Sequence, residues 1–441
     1  MSRLVLTSEL LSILRTELLG SKNETCAILF GRAIVKNDRL ARIVVREIQR
    51  IGDSDYLDRS EISAKLRPEV IAAVAQRARK SGESIIFAHS HPFPMNEFSA
   101  TDGAGEMALL EFLTNRTPGV IHAALLVTPE TTLARVLGCA DPLQVIGVGS
   151  NIQWCGKTEP GEFAQQFDRQ VRAFGAPGQE QLRKITVGIV GLGGTGSIVL
   201  EQLAHLGIQK FLLIDPDVVE RTNLNRLVGA SESDIKRPKV EVAARLAQRV
   251  NSQVQVRTIH DSVLLASVAE QLSDSDFVFC CTDSHGSRAV LNQSAYQYLI
   301  PSIDMGVAIV TQKGHITHIA GRSQMLAPGL GCLMCGDLLN PEAIRVDLLT
   351  DFERAADPYI VGLHEPAPAV ISVNATISSI SVTMFLAAVT GVPSHARLVN
   401  YNGITGAARV AAINQHPTCI ACSSRGALAR GNEWDLPARL A

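Results

Sequence analysis

The stretch from Val187 to Arg226 constrains the fold of this chain more than any other part of its sequence. An apolar run, Ile185 to Val190, leads directly into a glycine-rich turn. Glycines allow a tight turn and a close approach of phosphate to the backbone, and the following helix directs its N-terminus at the anion. The pattern predicts a nucleotide-binding unit of the Rossmann type. The glycines of this turn are Gly191, Gly193, Gly194 and Gly196.

Charged residues after the glycine turn narrow the choice of nucleotide. Asp215 ends the next apolar run, 19 residues after Gly196, where an acid would hold a ribose hydroxyl. Polar and charged residues follow Asp215. Because cations bind phosphate oxygens and acids bind ribose and metal, these residues suit ATP with Mg²⁺ better than a nicotinamide cofactor. They are Asp217, Asn223, Arg226 and Lys239.

These residues give the stretch a specific resemblance. The order GxGGxG, then DxDxVxxxNLxR, then a lysine resembles the adenylation domain of the ThiF/MoeB and ubiquitin-activating family. The likeness covers about residues 165 to 425 and includes the Arg169-Gln170 pair upstream and Asp283 downstream, with Arg288 following. Thr222 stands where the family often has Ser, and Leu227 where it often has Gln, but neither position need contact nucleotide.

The resemblance implies roles for these side chains. Charge on the triphosphate would be stabilised by Arg226 and Lys239 of the same chain, and by Arg169 from a neighbouring subunit. Asp283 would hold Mg²⁺, and Asp215 would hold the ribose. Relatives dimerise through this domain, so a homodimer is expected.

A second chemical motif lies in the first third of the chain. His89 and His91 are two positions apart at a predicted strand end, so their side chains point the same way, and Asp102 follows eleven residues later. Two imidazoles and a carboxylate leave a fourth tetrahedral position open for water, as in a catalytic zinc site. Glu24 is the candidate base for that water. Taken singly, each feature has an ordinary alternative, and Ser99 with Asp102 also forms a capping-box-like helix start.

The joint pattern, Glu followed by HxHPx(6)SxxD, resembles the JAMM (JAB/MPN) metalloprotease family over about residues 1 to 140. By that resemblance Glu24 is the general acid and base, both histidines and Asp102 bind zinc, and Ser99 helps stabilise the tetrahedral intermediate. Members of this family cleave peptide or isopeptide bonds at the C-terminus of ubiquitin-like folds.

The cysteines predict a second, structural zinc. The chain has nine, and four of them form two CxxC pairs separated by 83 residues. Two such pairs favour a closed tetrahedral zinc site in a reducing compartment, with a thioredoxin-like redox pair as the alternative. No cysteine occurs in the crossover stretch 337–369, where many thioester-forming relatives carry a nucleophile. The adenylate is therefore expected to pass directly to another nucleophile, or a partner such as a conjugating enzyme supplies the thiol. The zinc cysteines are Cys332, Cys335, Cys419 and Cys422.

The overall expectation is an α/β protein of two domains. A JAMM-type α/β domain occupies residues 1–150 and a linker occupies 151–164, because the stretch from Gly147 to Gly161 is rich in Gly, Ser, Thr and Pro. A Rossmann-like adenylation domain, mostly parallel with an antiparallel hairpin turning at Lys313-Gly314 and with the four-cysteine zinc knuckle, occupies 165–441. The N-terminus lacks a signal-peptide pattern, which indicates a cytoplasmic protein.

Composition argues against two classes of partner. A net charge of −2 and a pI of 6.6 give no electrostatic case for nucleic acid. The stretch 366–394 has no Asp, Glu, Lys or Arg, but its Pro, Asn, Ser and Thr favour a buried packing helix over a membrane span.

Both domains predict one substrate class, a ubiquitin-like or sulfur-carrier protein with a C-terminal glycine tail. The expected function is zinc-dependent cleavage at that tail and ATP-dependent adenylation of its carboxylate, in a bacterial ubiquitin-like conjugation pathway. Three alternatives remain at this stage: sulfur transfer for cofactor or amino-acid biosynthesis, a nicotinamide-dependent oxidoreductase, and a non-catalytic scaffold.

Overall fold

The structure is a computed structural model that describes residues 2–93, 95–156, 161–356 and 368–440. The chain divides into two compact units. The first comprises Met1–Lys157 with Leu428–Trp434, and the second comprises Thr158–Ala427 with Asp435–Ala441. Both units mix helices and strands, so the predicted α/β class is confirmed.

The first unit is built on one large sheet and a small hairpin. Its strands are β1 (Arg3–Thr7), β2 (Cys26–Lys36), β3 (Arg39–Arg50), β4 (Tyr56–Ser60), β5 (Ser63–Leu66), β6 (Ser84–Ser90), β7 (Ala123–Val127), β8 (Thr132–Val136), β9 (Pro142–Val148) and β10 (Ile152–Trp154). Its helices are α1 (Ser8–Leu19), α2 (Pro68–Ser81) and α3 (Ala100–Thr114). The eight-stranded sheet has the order β1-β3-β2-β6-β7-β8-β9-β10, and β1 also pairs with β9, so the sheet closes on itself.

Helices cover both faces of this sheet. Leu11, Leu14 and Leu18 recur at helical spacing on α1 and are buried against one face. Thr7 caps that helix by accepting a hydrogen bond from the backbone N–H of Leu10 at 3.1 Å. On the other face, α2 and α3 bury residues such as Val74 against a second cluster. Because helices cover both faces of the sheet, most residues of the central strand β6 are buried, including Ser90 at its carboxyl end.

His122 is a buried group whose protonation opposes the fold of the first unit. Its Nδ1 accepts from the N–H of Ile85 at 3.0 Å and its Nε2 lies 2.8 Å from Thr117 Oγ1, so the neutral ring fits. Burial lowers the pKa of His122 to about 4. As pH falls, His122 is therefore protonated in the unfolded chain before it is protonated in the folded chain. Stability that is complete above the unfolded pKa of about 6.5 is lost as pH falls toward 4, on the order of 1–2 kcal/mol between pH 7 and pH 5.

This pH dependence is measured by urea unfolding at pH 7 and pH 5, followed by tryptophan fluorescence. Both tryptophans, Trp154 and Trp434, belong to the first unit and report its unfolding. His122→Gln removes the titrating ring, so its free energy of unfolding is expected to change less between the two pH values than that of wild type. Equal changes in the two proteins would show that His122 does not carry the effect.

The second unit contains the predicted Rossmann-like sheet. Its strands are β11 (Thr186–Val190), β12 (Lys210–Ile214), β13 (Gln255–Ile259), β14 (Phe277–Cys280), β15 (Ser302–Gln312), β16 (His315–Leu326), β17 (Leu398–Asn402) and β18 (Ala407–Val410). Its helices are α4 (Asp168–Lys184), α5 (Gly194–His205), α6 (Lys239–Val250), α7 (Ala266–Ala269), α8 (His285–Gln297), α9 (Pro341–Leu348), α10 (Asp351–Ala356) and α11 (Ile371–Thr390).

The strand order β13-β12-β11-β14-β15-β16-β17-β18 confirms a parallel sheet with an antiparallel extension. β11 pairs in parallel with β12 and β14, and β15 turns back into β16 through Lys313 and Gly314, both at positive φ. The order reverses around β11, with β12 on one side and β14 on the other. In such sheets a ligand binds beyond the carboxyl ends of the strands at this reversal.

The apolar stretch near the C-terminus forms α11. By length and composition it is the one helix among the described residues that could cross a membrane, and half of its apolar window is buried inside the protein. Its hydroxyls bond to neighbouring elements: Ser378 Oγ donates to the carbonyl of Thr195 at 3.1 Å and Ser381 Oγ to Ser323 Oγ at 2.8 Å. These contacts match the expectation of a packing helix.

The domain bounds differ from those expected from composition. The expected linker, 151–164, contains β10, which pairs with β9. Residues 157–160 of that linker lie outside the described residues. The segment Leu428–Trp434, expected in the second domain, groups with the first unit. Glu433 explains this, because it lies 3.5 Å from Arg46 and 3.8 Å from Arg32.

Candidate active sites

The first candidate site forms where β6 ends beside the start of β2. Cys26 pairs with His89 across these strands, which places Glu24, two residues earlier, next to the end of the HxH motif. The backbone of Glu24 is fixed on the other side, because its N–H donates to the carbonyl of Ser60 at 2.9 Å and its carbonyl accepts from Arg59 Nε at 2.9 Å. Strand pairing therefore brings together residues 65 or more positions apart in the chain.

The side chains at this site converge as metal ligands do. The ligand atoms of His89, His91 and Asp102 lie within 4.8 Å of one another. Asp102 is 3.2 Å from His89 Nε2 through Oδ1 and 3.3 Å from His91 Nε2 through Oδ2. His89 Nε2 is buried and makes no hydrogen bond to a described residue, although a buried polar atom normally has one. Three ligands, one of which has an imidazole nitrogen without a hydrogen bond, fit a zinc ion with an open fourth position.

Glu24 has the environment of a catalytic carboxyl group. Its Oε1 lies 3.7 Å from His91 Nε2, and only 8% of the residue is exposed. Burial raises the pKa of Glu24 above its usual range. For Asp102, burial would raise the pKa, but the interaction with His89 at 3.2 Å outweighs burial and lowers the pKa. Two carboxyl groups held at different pKa values can take different roles, one as proton carrier and one as ligand.

Ser99 and Asp102 serve the helix and the site together. Ser99 is the N-cap of α3, its Oγ accepts from the N–H of Asp102 at 3.1 Å, and Asp102 Oδ2 accepts from the N–H of Ser99 at 2.6 Å. The capping-box alternative and the ligand interpretation are therefore compatible. The cap holds the carboxylate of Asp102 in one orientation toward both histidines.

Two supporting contacts had no detectable sequence signal. His91 Nδ1 lies 3.2 Å from the backbone carbonyl of Met95, which favours the tautomer that leaves Nε2 free for a metal. Phe98 packs against His89 with ring centroids 6.1 Å apart, and the guanidinium carbon of Arg135 lies 4.0 Å from the centroid of the Phe98 ring. A backbone carbonyl carries no residue-type signal, and the partners of Phe98 are distant in sequence.

The second candidate metal site is a cluster of four thiols. Cys332 Sγ lies 3.7 Å from Cys335 Sγ and 3.5 Å from Cys419 Sγ, and Cys335 Sγ lies 3.5 Å from Cys422 Sγ. Sulfur atoms about 2.3 Å from a tetrahedral zinc lie about 3.8 Å apart, so the cluster has the size of a four-cysteine zinc site. The hydrogen bond from Cys422 lowers the pKa of Cys332 to about 5. The site is closed and offers no position for a substrate.

Zinc content distinguishes these two sites. We expect about two zinc ions per purified chain and about one after His89→Ala/His91→Ala, because the four-cysteine site is independent of the histidines. Cys419→Ser/Cys422→Ser is the matched variant and is expected to lose the other ion. Elemental analysis measures each count. One ion in wild type, unchanged by the histidine variant, would mean that the first unit is an inactive binding module.

The third candidate site is the glycine turn between β11 and α5. Gly191 has φ of +87°, and a Cβ there would lie 2.7 Å from the carbonyl oxygen of Cys281, so only glycine fits without strain. A Cβ at Gly196 would collide with the carbonyl of Gly191. The glycines thus allow α5 to begin against the sheet, with its N-terminus at the strand reversal. Gly193 and Gly194 complete the turn.

Asp215 closes this turn from β12. Its Oδ2 accepts from the N–H of Leu192 at 2.5 Å and its Oδ1 from the N–H of Asp217 at 2.8 Å. Burial raises the pKa of Asp215, while the charge of Lys239 and these hydrogen bonds lower it. A carboxylate has about four acceptor positions, so Asp215 retains capacity for a ribose hydroxyl.

Cationic side chains gather on the same side. Lys239, the first residue of α6, forms an ion pair with Asp217 at 2.7 Å beside Asp215. The stem of Arg226 packs on Gly194, where a Cβ would lie 3.3 Å from its Cγ and Cδ, and its Nη1 donates to the carbonyl of Thr222 at 2.7 Å. Asn223 Oδ1 accepts from the N–H of Glu220 at 3.2 Å and so shapes the turn that carries Arg226.

Other predicted residues are not joined to this cluster. Asp283 is exposed three residues beyond β14, on the reversal side of the sheet. Arg169 is exposed on α4, and no contact joins it to the glycine turn within the described part of the chain. Arg288 is directed to buried Asp304, with its Nε 3.3 Å from Oδ1, and Arg322 pairs with the same carboxylate. Leu227, the departure from the family pattern, is a core residue.

These features define the class of protein: a nucleotide-binding α/β domain with a structural thiol cluster, preceded by a metal-binding domain of His, His and Asp. The comparison with family models agrees. The ThiF family model matches residues 167–421, and the model for prokaryotic homologs of the JAB domain matches residues 7–136. The chain belongs to the ThiF family and carries a JAB-type domain at its N-terminus.

Curated relatives match the second unit. Molybdopterin-synthase adenylyltransferase of Escherichia coli is 29% identical over 58% of this chain and 95% of its own length. The SAMP-activating enzyme E1 of Haloferax volcanii is 32% identical over 41% of this chain and 64% of its own length. Ubiquitin-like modifier-activating enzyme 5 of Drosophila willistoni is 28% identical over 35% and 40%. Each is named as an adenylating or activating enzyme.

Proposed function

We propose that this protein adenylates the C-terminal carboxylate of a ubiquitin-like or sulfur-carrier protein and cleaves a peptide or isopeptide bond at the same tail, in a bacterial ubiquitin-like conjugation pathway. The observation that carries the proposal is Glu24, a buried carboxyl 3.7 Å from a three-ligand site in a chain that also belongs to the ThiF family. The names of the relatives support this substrate class.

The adenylation step uses the glycine turn and its cations. A carboxylate oxygen of the tail attacks the α-phosphorus of ATP, the bond from that phosphorus to the bridging oxygen breaks, and pyrophosphate leaves. The N–H groups at the start of α5, Lys239 and Arg226 stabilise the charge that develops on the phosphates. Asp215 holds the ribose, and Asp283 supplies an oxygen ligand for Mg²⁺. Arg169 acts from the second subunit of a homodimer.

The cleavage step uses the residues around His89 and His91. A zinc ion bound by these histidines and Asp102 supplies Lewis acidity and lowers the pKa of water. Glu24, with its raised pKa, takes a proton from the attacking water and returns it to the leaving amine. The hydroxyl of Ser99 accepts from the N–H of Asp102 at 3.1 Å and so lies beside the ligand carboxylate, where a tetrahedral intermediate would form. By the resemblance to the JAB-type family, Ser99 would donate to the oxygen of that intermediate.

Further partners follow from the chemistry. We propose that the protein acts in the cytoplasm, where thiols remain reduced and ATP is available. Cysteine is absent from the crossover stretch 337–369 by sequence, and residues 357–367 of it lie outside the described residues. The adenylate therefore passes to an external nucleophile, supplied by the acceptor or by a conjugating enzyme with its own thiol.

The proposal is tested with purified ubiquitin-like proteins that end in glycine and with the same proteins extended by a short peptide. We expect ATP-dependent pyrophosphate exchange with the first set. With the second set, exchange is expected only after the extension is removed, which mass spectrometry detects. Thermal stabilisation by NAD alone, without any by ATP, would overturn the proposal in favour of an oxidoreductase.

Sulfur transfer is the second candidate. The match to molybdopterin-synthase adenylyltransferase over 95% of its length favours it. A sulfur donor added to the adenylated carrier would yield a C-terminal thiocarboxylate, whereas a conjugation pathway would yield an amide to an amine of an acceptor. Mass spectrometry of the tail separates the two products, since a thiocarboxylate leaves the carrier unconjugated.

A further inference from the structure

Asn374 lies at the glycine turn although it is about 180 residues away in sequence. It occupies the first turn of α11, and only 5% of the residue is exposed. Asparagine is usually exposed, and its amide carries two donors and one acceptor oxygen. The side chain of Asn374 makes no hydrogen bond to a described residue. The amide is therefore available to donate to a ligand.

The amide nitrogen of Asn374 is directed at the N-terminus of α5. Gly194 is the first residue of α5, and a Cβ built there would collide with Asn374 Nδ2 and lie 3.3 Å from the stem of Arg226. Asn374 and Arg226 can both approach α5 here because residue 194 is a glycine and has no side chain. The donor end of Asn374 consequently lies beside the N–H groups that face an anion in this fold.

Helix packing, and not the amide itself, fixes this position. Ser378 Oγ donates to the carbonyl of Thr195 at 3.1 Å, and Gln202 Nε2 donates to Ser379 Oγ at 2.9 Å. These bonds join two neighbouring residues in the middle of α11 to the first and third turns of α5. The amide of Asn374 is thus held in place before any ligand arrives, which reduces the entropy lost when it forms a hydrogen bond.

We propose that Asn374 is a nucleotide-binding residue that donates from Nδ2 to a phosphate oxygen of ATP at the N-terminus of α5. This inference rests on the adenylation part of the proposed function and adds a donor from the C-terminal part of the domain. Asn374 and Arg226 flank Gly194 and together contribute one neutral and one cationic donor. The contact makes the position of α11 part of the nucleotide site.

The test compares Asn374→Asp, Asn374→Leu and a control, Asn115→Leu, in the full chain. Asn115 is an exposed residue directly after α3 in the first unit, so the control makes the same chemical change away from the glycine turn. Aspartate keeps the shape but repels phosphate, and leucine keeps the volume without a donor. Hydrogen bonds to charged groups are worth about tenfold to a hundredfold in affinity. We expect the KM for ATP in pyrophosphate exchange to rise about tenfold or more with leucine and further with aspartate. The thermal shift caused by ATP with Mg²⁺ should fall in parallel.

Three outcomes are informative. Unchanged KM and unchanged ATP shift in both variants would overturn the role of Asn374, and lower stability without nucleotide would then assign it to packing. If only the aspartate variant fails to fold, the leucine variant still decides. Wild type without any shift by ATP would overturn the proposed function as well, whereas a normal wild-type shift with unaffected variants overturns this inference alone. Asn115→Leu is expected to retain the wild-type KM.

Discussion

Glu24→Gln is expected to lower the rate of tail cleavage by about 10²–10⁴-fold, because it removes the group that carries the proton. Glutamine has the same shape, so the backbone contacts of Glu24 with Ser60 and Arg59 are retained. The ligands His89 and His91 are untouched, so the zinc content should equal that of wild type. The rate is measured on a ubiquitin-like protein extended beyond its terminal glycine.

Glu9→Gln provides the matched control for the same chemical change. Glu9 is an exposed acid in the first turn of α1 and has no described contact with the site, so its replacement should leave cleavage unchanged. Full activity of Glu24→Gln, with zinc present, would show that another group carries the proton. No cleavage by wild type at any extension would favour the scaffold alternative for the first unit.

Lys239→Met is expected to lower pyrophosphate exchange by about 10²–10³-fold, the usual effect of removing one donor from a developing oxyanion. Methionine keeps much of the aliphatic stem of the lysine. Its partner Asp217 is largely exposed, so loss of the ion pair should affect stability little. Exchange is measured as incorporation of labelled pyrophosphate into ATP at saturating carrier protein.

Lys210→Met is the corresponding control, because Lys210 is exposed at the start of β12, at the opposite end of the strand from Asp215. The two active-site variants should also separate the activities. Glu24→Gln is expected to retain exchange with a carrier that ends in glycine, and Lys239→Met is expected to retain cleavage. Wild-type exchange by Lys239→Met would show that the triphosphate is bound elsewhere.

Local patterns in the sequence predicted much of the scaffold. The apolar run before Gly191 is a buried strand, because a parallel strand covered on both faces requires continuous apolar residues. The hairpin turns at Lys313 and Gly314, where positive φ favours glycine. Helix α1 runs from Ser8 to Leu19 as the apolar spacing indicates. These features depend on near neighbours in the chain, which is the information that a sequence displays directly.

Contacts between distant segments were not predictable in the same way. The expected linker contains β10 because pairing with β9 outweighs its turn-forming composition. Glu433 joins the first unit through arginines almost 400 positions earlier. Arg288 follows Asp283 closely in sequence, but it is directed to Asp304 on the neighbouring strand. In each case the partner was set by strand order or helix packing, for which no local pattern exists.

The sequence by itself determined which chemical groups this protein has: the HxH motif with Asp102, the CxxC pairs, and the glycine turn with Asp215 and Lys239. Residue type and spacing suffice there, because metal ligands and phosphate cradles restrict both. Only the tertiary structure decided how those groups are used. It buried Glu24 beside the histidines, which raises its pKa, and it placed Asn374 over Gly194. Burial and long-range packing arise when distant segments meet, so they become visible only in the folded chain.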